Sequence, residues 1–237
     1  MSTTTVPSHE ASEANPTGYT LWTVLRRSAT TARESVRSGA IRGAHLSQAI
    51  AGVEAEGVTV RGIYDVSGMR ADADVMLWIH GDVPEQLQAA MRSLRRSREL
   101  APLKQTWSSM GVHREAEFNK RHVPGFLRGI EPRQWLTVYP FVRSYDWYIL
   151  PEEDRSRMLI EHGRKGAAYT SVIANTVSAF ALGDYEWILP LEADDLVDLV
   201  DVMRALRATD ARMHVREEVP FFTGRRISVE ELQEVLA

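Results

Sequence analysis

The side chains of this sequence with a claim to chemistry are a histidine, a tyrosine and an arginine, each set among informative neighbours. His162 lies in IEHGRKGAAY, with Gly163 next to it and Gly166 one turn further on. A single neutral imidazole can hold haem iron without a second protein ligand, and glycines beside it let a flat ring approach the backbone. The same residues also suit a helix that merely packs, and the local sequence leaves both readings open. Tyr139 lies in VYPFVRSYDWY. Alternation along a strand puts Tyr139, Phe141, Arg143 and Tyr145 on one face, with Trp147 close behind. That set suits a pocket for an aromatic, acidic ligand, or equally an aromatic core.

Other chemistries find no support. The chain has no cysteine, which removes thiolate catalysis, iron–sulfur clusters, disulfides and Cys-ligated haem. The remaining histidines, His9, His45, His80, His113, His122 and His214, show no metalloprotease spacing. His113 and His122 flank Glu115 and Glu117, too sparse a pattern to favour a non-haem metal. There is no Walker loop, no GxGxxG and no GxSxG elbow.

The elements that must position these residues follow from periodicity. Residues 1–17 hold little to bury and read as a disordered tail. A strand is expected over 19–28, with Trp22 and Val24 on one face and Leu21 and Leu25 on the other. Leu46, Ala49, Ile50 and Val53 mark a helix. Strands follow over 58–66 and 74–80, then a helix opened by Pro84 and a strand over 102–111. The order is βαββαβ, the ferredoxin-like pattern. It recurs as a strand-like run over 135–150, a helix from Pro151 that breaks at Gly163, strands over 176–182 and 185–191, a helix over 194–207 and a last alternating strand from Met213 to Phe221. The expected fold class is α+β: two tandem ferredoxin-like domains, 18–111 and 135–237, joined by 112–134, whose antiparallel sheets pack into a barrel-like body, a dimeric α+β barrel.

Apolar residues make up 44% of the 237 positions and the net charge is -4. Such a balance calls for neither nucleic acid nor an anionic membrane, and the cluster Arg92, Arg95, Arg96 and Arg98 reads as a solvated helix end. No apolar run reaches membrane-spanning length, and the N-terminus has no signal-peptide pattern. A cytoplasmic location is expected.

The segments LTVYPFVRSYDWYIL, EHGRKGAAY, LGDYEWILPLEADD and VPFFTGRRI together resemble the coproheme decarboxylases of the actinobacterial type, within the chlorite dismutase-like superfamily, from about Tyr19 to Ile227. The resemblance implies peroxide-dependent decarboxylation of coproheme III, two propionates becoming vinyls, to give haem b. Iron-coproporphyrin III is then both substrate and redox centre. His162 corresponds to the family's iron ligand, Tyr139 to its reactive tyrosine and His122 to the distal base that takes a proton from peroxide. Arg143 and Trp147 correspond to propionate partners. Asn175, thirteen residues after His162, stands where chlorite dismutases carry a distal arginine and firmicute decarboxylases a glutamine. The family also implies a homo-oligomer, a pentamer, and transient contact with coproporphyrin ferrochelatase. The rival readings are a chlorite dismutase or haem peroxidase, and a non-catalytic haem carrier or sensor.

Overall fold

The computed structural model describes residues 18–27, 44–114 and 123–236. Its first unit runs β1 (Tyr19–Arg26), α1 (Ala44–Ala55), β2 (Thr59–Asp65), β3 (Val75–Gly81), α2 (Pro84–Arg95) and β4 (Lys104–Val112). The second runs β5 (Trp135–Arg143), α3 (Glu152–Ala167), β6 (Ile173–Ala174), β7 (Val177–Ser178), β8 (Trp187–Ala193), α4 (Leu196–Arg207), β9 (Val215–Glu217), β10 (Phe222–Ile227) and α5 (Leu232–Leu236). The first four strands lie in the order β4-β1-β3-β2, and the second unit repeats it as β10-β5-β8-β7. Both are ferredoxin-like sheets. They join edge to edge, β2 with β10 and β4 with β7, so eight strands close into one barrel.

Closure buries both faces of most strands, which is why they read as near-continuous apolar runs. Alternation then sorts the side chains. Trp22, Tyr64, Met76, Trp78, Leu136, Val138 and Phe222 fill the barrel interior, where Trp22 and Trp78 lie 5.4 Å apart. Leu21, Leu25, Ile63, Leu77 and Ile79 face outward and are covered by Leu46 and Val53 of α1 and by Leu87, Met91 and Leu94 of α2. On the second unit α4 packs through Leu199 and Val202 against Tyr139, Leu191 and Ala193.

A polar network ties the two units together inside this apolar frame. The Arg61 guanidinium donates through Nε and Nη2 to Glu192 Oε1, at 3.0 and 2.7 Å, and through Nη1 to the Ile130 carbonyl at 3.0 Å. It also lies 4.9 Å over the Trp78 ring. Glu192 takes further hydrogen bonds from Asn175 Nδ2 and the Arg133 backbone N–H. Every lone-pair group that burial strips of water here regains a donor, as a buried charge requires.

Four expectations are corrected. The strand over 135–150 stops at Arg143, because the Ser144 N–H turns to the His214 carbonyl and Trp147–Ile149 form a 3-10 turn; Tyr145 leaves the shared face and is 83% exposed. Of 176–182 only Val177–Ser178 pairs, and Ile173–Ala174 forms a further short strand. The segment expected as one last strand begins as a 3-10 turn, Asp210–His214, pairs over Val215–Glu217 and is interrupted over 218–221, a stretch that includes Pro220 with no N–H to donate. The barrel is closed instead by β10. Finally, α3 does not break at Gly163. A mid-helix glycine costs about 1 kcal/mol. Acidic residues in the first turn and basic ones in the last complement the helix dipole, and Glu161 and Lys165 pair at 3.2 Å.

Candidate active site

The outer face of β5 and β8 is incompletely covered by α3, which buries only Met158 and Leu159. The gap is a cavity of about 810 Å³, in the range of sites for small organic ligands. The sheet contributes Phe141, Arg143, Trp187, Leu189 and Leu191, and α3 contributes Leu159, His162, Gly163, Gly166 and Ala167. A Cβ on Gly163 would meet nothing within 4 Å, so this stretch of helix presents backbone to open space. Apolar walls and a bare helix surface leave a slot suited to a flat ring.

His162 lines this slot, and its protonation follows from its neighbours. The Thr209 hydroxyl donates to the Leu206 carbonyl at 2.9 Å, which commits its one hydrogen. Thr209 Oγ1 can therefore only accept from His162 Nδ1–H, 3.3 Å away. Nε2 is left as the nitrogen with a lone pair. Burial and, less strongly, the positive charge of Arg143 push the imidazolium pKa down to about 4. His162 is thus a neutral imidazole held in one tautomer, the form that ligates a metal.

Charge on the lining is one-sided. Arg128, Arg133, Arg143 and Arg164 contribute to it, and no described carboxylate does. Arg133 is shared with Asp194 at 3.0 Å in an exposed setting. Arg143 lies deepest: it is 8% exposed, its guanidinium sits 4.1 Å over Trp147 and 4.9 Å over Phe141, and its backbone N–H donates to Glu186 at 2.8 Å.

The six residues singled out from sequence fare differently. His162 and Arg143 share the main cavity. Tyr139 lines a small adjoining one of about 50 Å³, which also touches His162, Arg143 and Phe141. Its ring stacks on Phe221 at 4.3 Å, and burial, reinforced by Glu218, pushes its phenol well above the usual range. Trp147 is fully buried and off the lining, packed under Arg143 and 5.4 Å from the His214 ring. Asn175 is also fully buried and off the lining. Its carbonyl accepts from the Phe126 N–H at 2.9 Å and its amide donates to Glu192, so its polar groups are engaged by the protein rather than turned to a ligand. His122 lies outside the described residues. Sequence reasoning missed Arg128, Arg133, Arg164, Trp187 and Thr209. Arg164 and Trp187 stood inside motifs already noted, whereas Thr209 is 47 positions from its partner and gives no local signal.

An iron porphyrin fits these residues: a neutral imidazole with a free lone pair, a glycine-lined wall, an apolar slot and cations for peripheral carboxylates. Residues 39–227 match the chlorite dismutase family model. The chain belongs to the chlorite dismutase family. Among relatives within that family, it is 60% identical over 180 residues to a coproheme decarboxylase of Mycolicibacterium smegmatis, covering 76% of this chain and 78% of that protein. A coproheme decarboxylase of Staphylococcus carnosus is 24% identical over 187 residues, 72% of this chain and 74% of that one. A chlorite dismutase structure from Candidatus Nitrospira defluvii, in complex with imidazole, superposes with a TM-score of 0.77 over 92% of this chain and 94% of that one, at 18% identity. The family's fold, two ferredoxin-like sheets closed into one barrel, is the one described above.

Proposed function

We propose that this protein is a coproheme decarboxylase, which removes two propionate carboxylates from coproheme III and yields haem b. The observation that carries the reading is the set of four arginines, with no carboxylate among the described residues, on the lining of an apolar slot that also holds one neutral imidazole. Such a lining selects a flat, metal-bearing ring with several carboxylates. The 60% identity to a coproheme decarboxylase supports the same substrate.

The substrate's iron supplies the redox chemistry, with hydrogen peroxide as the proposed oxidant. Each propionate loses carbon dioxide, one proton and two electrons, and each peroxide takes up those electrons with that proton and one more from solvent to become two waters. His162 holds the ring through Nε2, and Thr209 keeps the imidazole in the ligating tautomer. Arg143, fixed by stacking between Trp147 and Phe141, offers its guanidinium to a propionate by charge-assisted hydrogen bonds. Arg128 and Arg164, also on the lining, serve the other carboxylates. Tyr139 would pass an electron and its phenolic proton to the peroxide-oxidised substrate, and the resulting radical would take a hydrogen atom from the propionate β-carbon, which restores the phenol. The second electron would return to the oxidised substrate as carbon dioxide leaves and the vinyl forms. The resemblance assigns the proton from peroxide to His122, histidine being the common side chain for general acid–base transfer. Trp147 supports Arg143, and Asn175 supports Glu192 and the segment at Phe126.

Mass spectrometry of the porphyrin during peroxide titration tests the reading. Successive loss of two carboxylates, complete near two equivalents, is expected. A haem carrier would return intact coproheme, and a chlorite dismutase would evolve oxygen from chlorite instead. We further propose that the protein acts in the cytoplasm as a closed homo-oligomer, a pentamer, and receives coproheme by transient contact with a ferrochelatase. Val197, Val200 and Met213 are apolar side chains left exposed on one chain, which supports further association. Light scattering that shows a stable monomer at micromolar concentration overturns the assembly.

A further inference from the structure

Trp187 stands in the cavity wall but has no part in the chemistry assigned to Tyr139, His162 and Arg143. It faces Phe141 across the β5–β8 register, the two rings nearly parallel with centroids 6.3 Å apart. Its indole N–H leads away from the cavity, donating to the Tyr148 hydroxyl at 3.4 Å. That hydroxyl donates in turn to Glu186 Oε2 at 2.9 Å. Phe180 sits edge-on to both rings, at 5.7 and 6.0 Å. Trp187 is 7% exposed and Tyr148 39%. A continuous aromatic and hydrogen-bonded chain therefore runs from the cavity wall to solvent.

We propose that Trp187, Tyr148 and Glu186 form an electron-transfer exit from the cavity to the surface, discharging oxidising equivalents that fail to reach a propionate. The inference rests on the peroxide-dependent reading above. Trp187 gives one electron to the peroxide-oxidised substrate complex. Tyr148 returns one electron to the indole, and its phenolic proton moves to the Glu186 carboxylate. A soluble one-electron reductant of the ascorbate class then restores Tyr148, and the proton comes back from Glu186. The hydrogen bond to Glu186 is the essential part. A phenol gives up an electron readily only when a base takes its proton in the same step, and a carboxylate at 2.9 Å is placed to do so. Tyr139 is buried in its own cavity, so the productive and the discharging tyrosines are separate sites.

The test is radical trapping. The coproheme complex is treated with peroxide and a nitroso spin trap, and labelled peptides are mapped by mass spectrometry. A Tyr148 adduct is expected in the wild type and is lost in Trp187→Phe, where Tyr148 is still present. Tyr148→Phe converts coproheme normally at two equivalents of peroxide. At large excess it bleaches the porphyrin faster, and ascorbate no longer protects it. Labelling of Tyr148 in Trp187→Phe at the wild-type level overturns the relay. So does coproheme conversion without any Tyr148 label in the wild type, which leaves the decarboxylase reading standing. Failure of the wild type to convert coproheme overturns both.

Discussion

Removing Arg61 tests whether the buried network sets the stability of the two-unit barrel. Arg61→Met keeps much of the side-chain volume but deletes two hydrogen bonds to Glu192 and one to the Ile130 carbonyl. Hydrogen bonds to a charged group contribute about 1.5–3 kcal/mol each, and a buried ion pair that loses one partner costs about 3–5 kcal/mol. The side chains of Arg61 and Glu192 are 4% and 0% accessible, so solvent screening offers little relief. The expected loss at pH 7.5 is therefore about 3–5 kcal/mol, read from urea unfolding of the ligand-free protein. The pH dependence sharpens the test. Burial holds the Glu192 carboxyl above its ordinary pKa even with Arg61 in place, and Arg61's charge and hydrogen bonds oppose that rise. Without Arg61 the folded-state pKa rises further. Glu192 then protonates in the folded state on mild acidification, so the gap between wild type and variant narrows from pH 7.5 to pH 5. The double variant Arg61→Met, Glu192→Leu, with no stranded charge, regains more than half of the loss. A difference under about 1 kcal/mol at pH 7.5, or one that widens on acidification, refutes the argument.

Three further outcomes are expected. His162→Ala loses the iron–imidazole stretch in resonance Raman and retains coproheme poorly; an unchanged stretch removes His162 as the ligand. Tyr139→Phe binds coproheme and consumes peroxide but stalls before the first decarboxylation, whereas haem b at near wild-type yield by chromatography ends the radical assignment. Burial, with Arg61's charge, also lowers His80 to about 4, below its ordinary unfolded value of about 6.5. The unfolded chain binds the extra proton between these values, so His80's contribution is complete above about pH 6.5 and falls as pH drops towards 4, by up to about 1.4 kcal/mol per unit. In urea titrations His80→Phe flattens the pH profile over that window, and a profile as steep as the wild type's contradicts the shift.

Much of the frame was legible because it rests on local periodicity. Leu46, Ala49, Ile50 and Val53 announced a helix, and Trp22 opposite Leu25 announced a strand buried on two faces; both lie as expected. The errors fall where distant partners decide. Ser144 ends β5 by bonding His214, 70 residues on, and no window around Arg143 contains that information. The resemblance set Asn175 at a distal position, yet Glu192 and Phe126 claim its amide. His162 stood out through its glycines, but its tautomer is set by Thr209, and the slot beside it exists only because α3 stands away from the sheet.

Barrel closure has a consequence for how the chain reaches this state. Ile63 in β2 pairs with Ile227 in β10, and Val112 in β4 with Ser178 in β7. A ribosome therefore completes the first unit long before the strands that cap its two edges exist. During that interval β2 and β4 expose unpaired N–H and C=O groups, the template on which foreign strands assemble. Contacts this remote in sequence also close slowly. Nascent or truncated chains that end before β10 are the form of this protein most exposed to aggregation, and the last strand to be made is the one that ends the hazard.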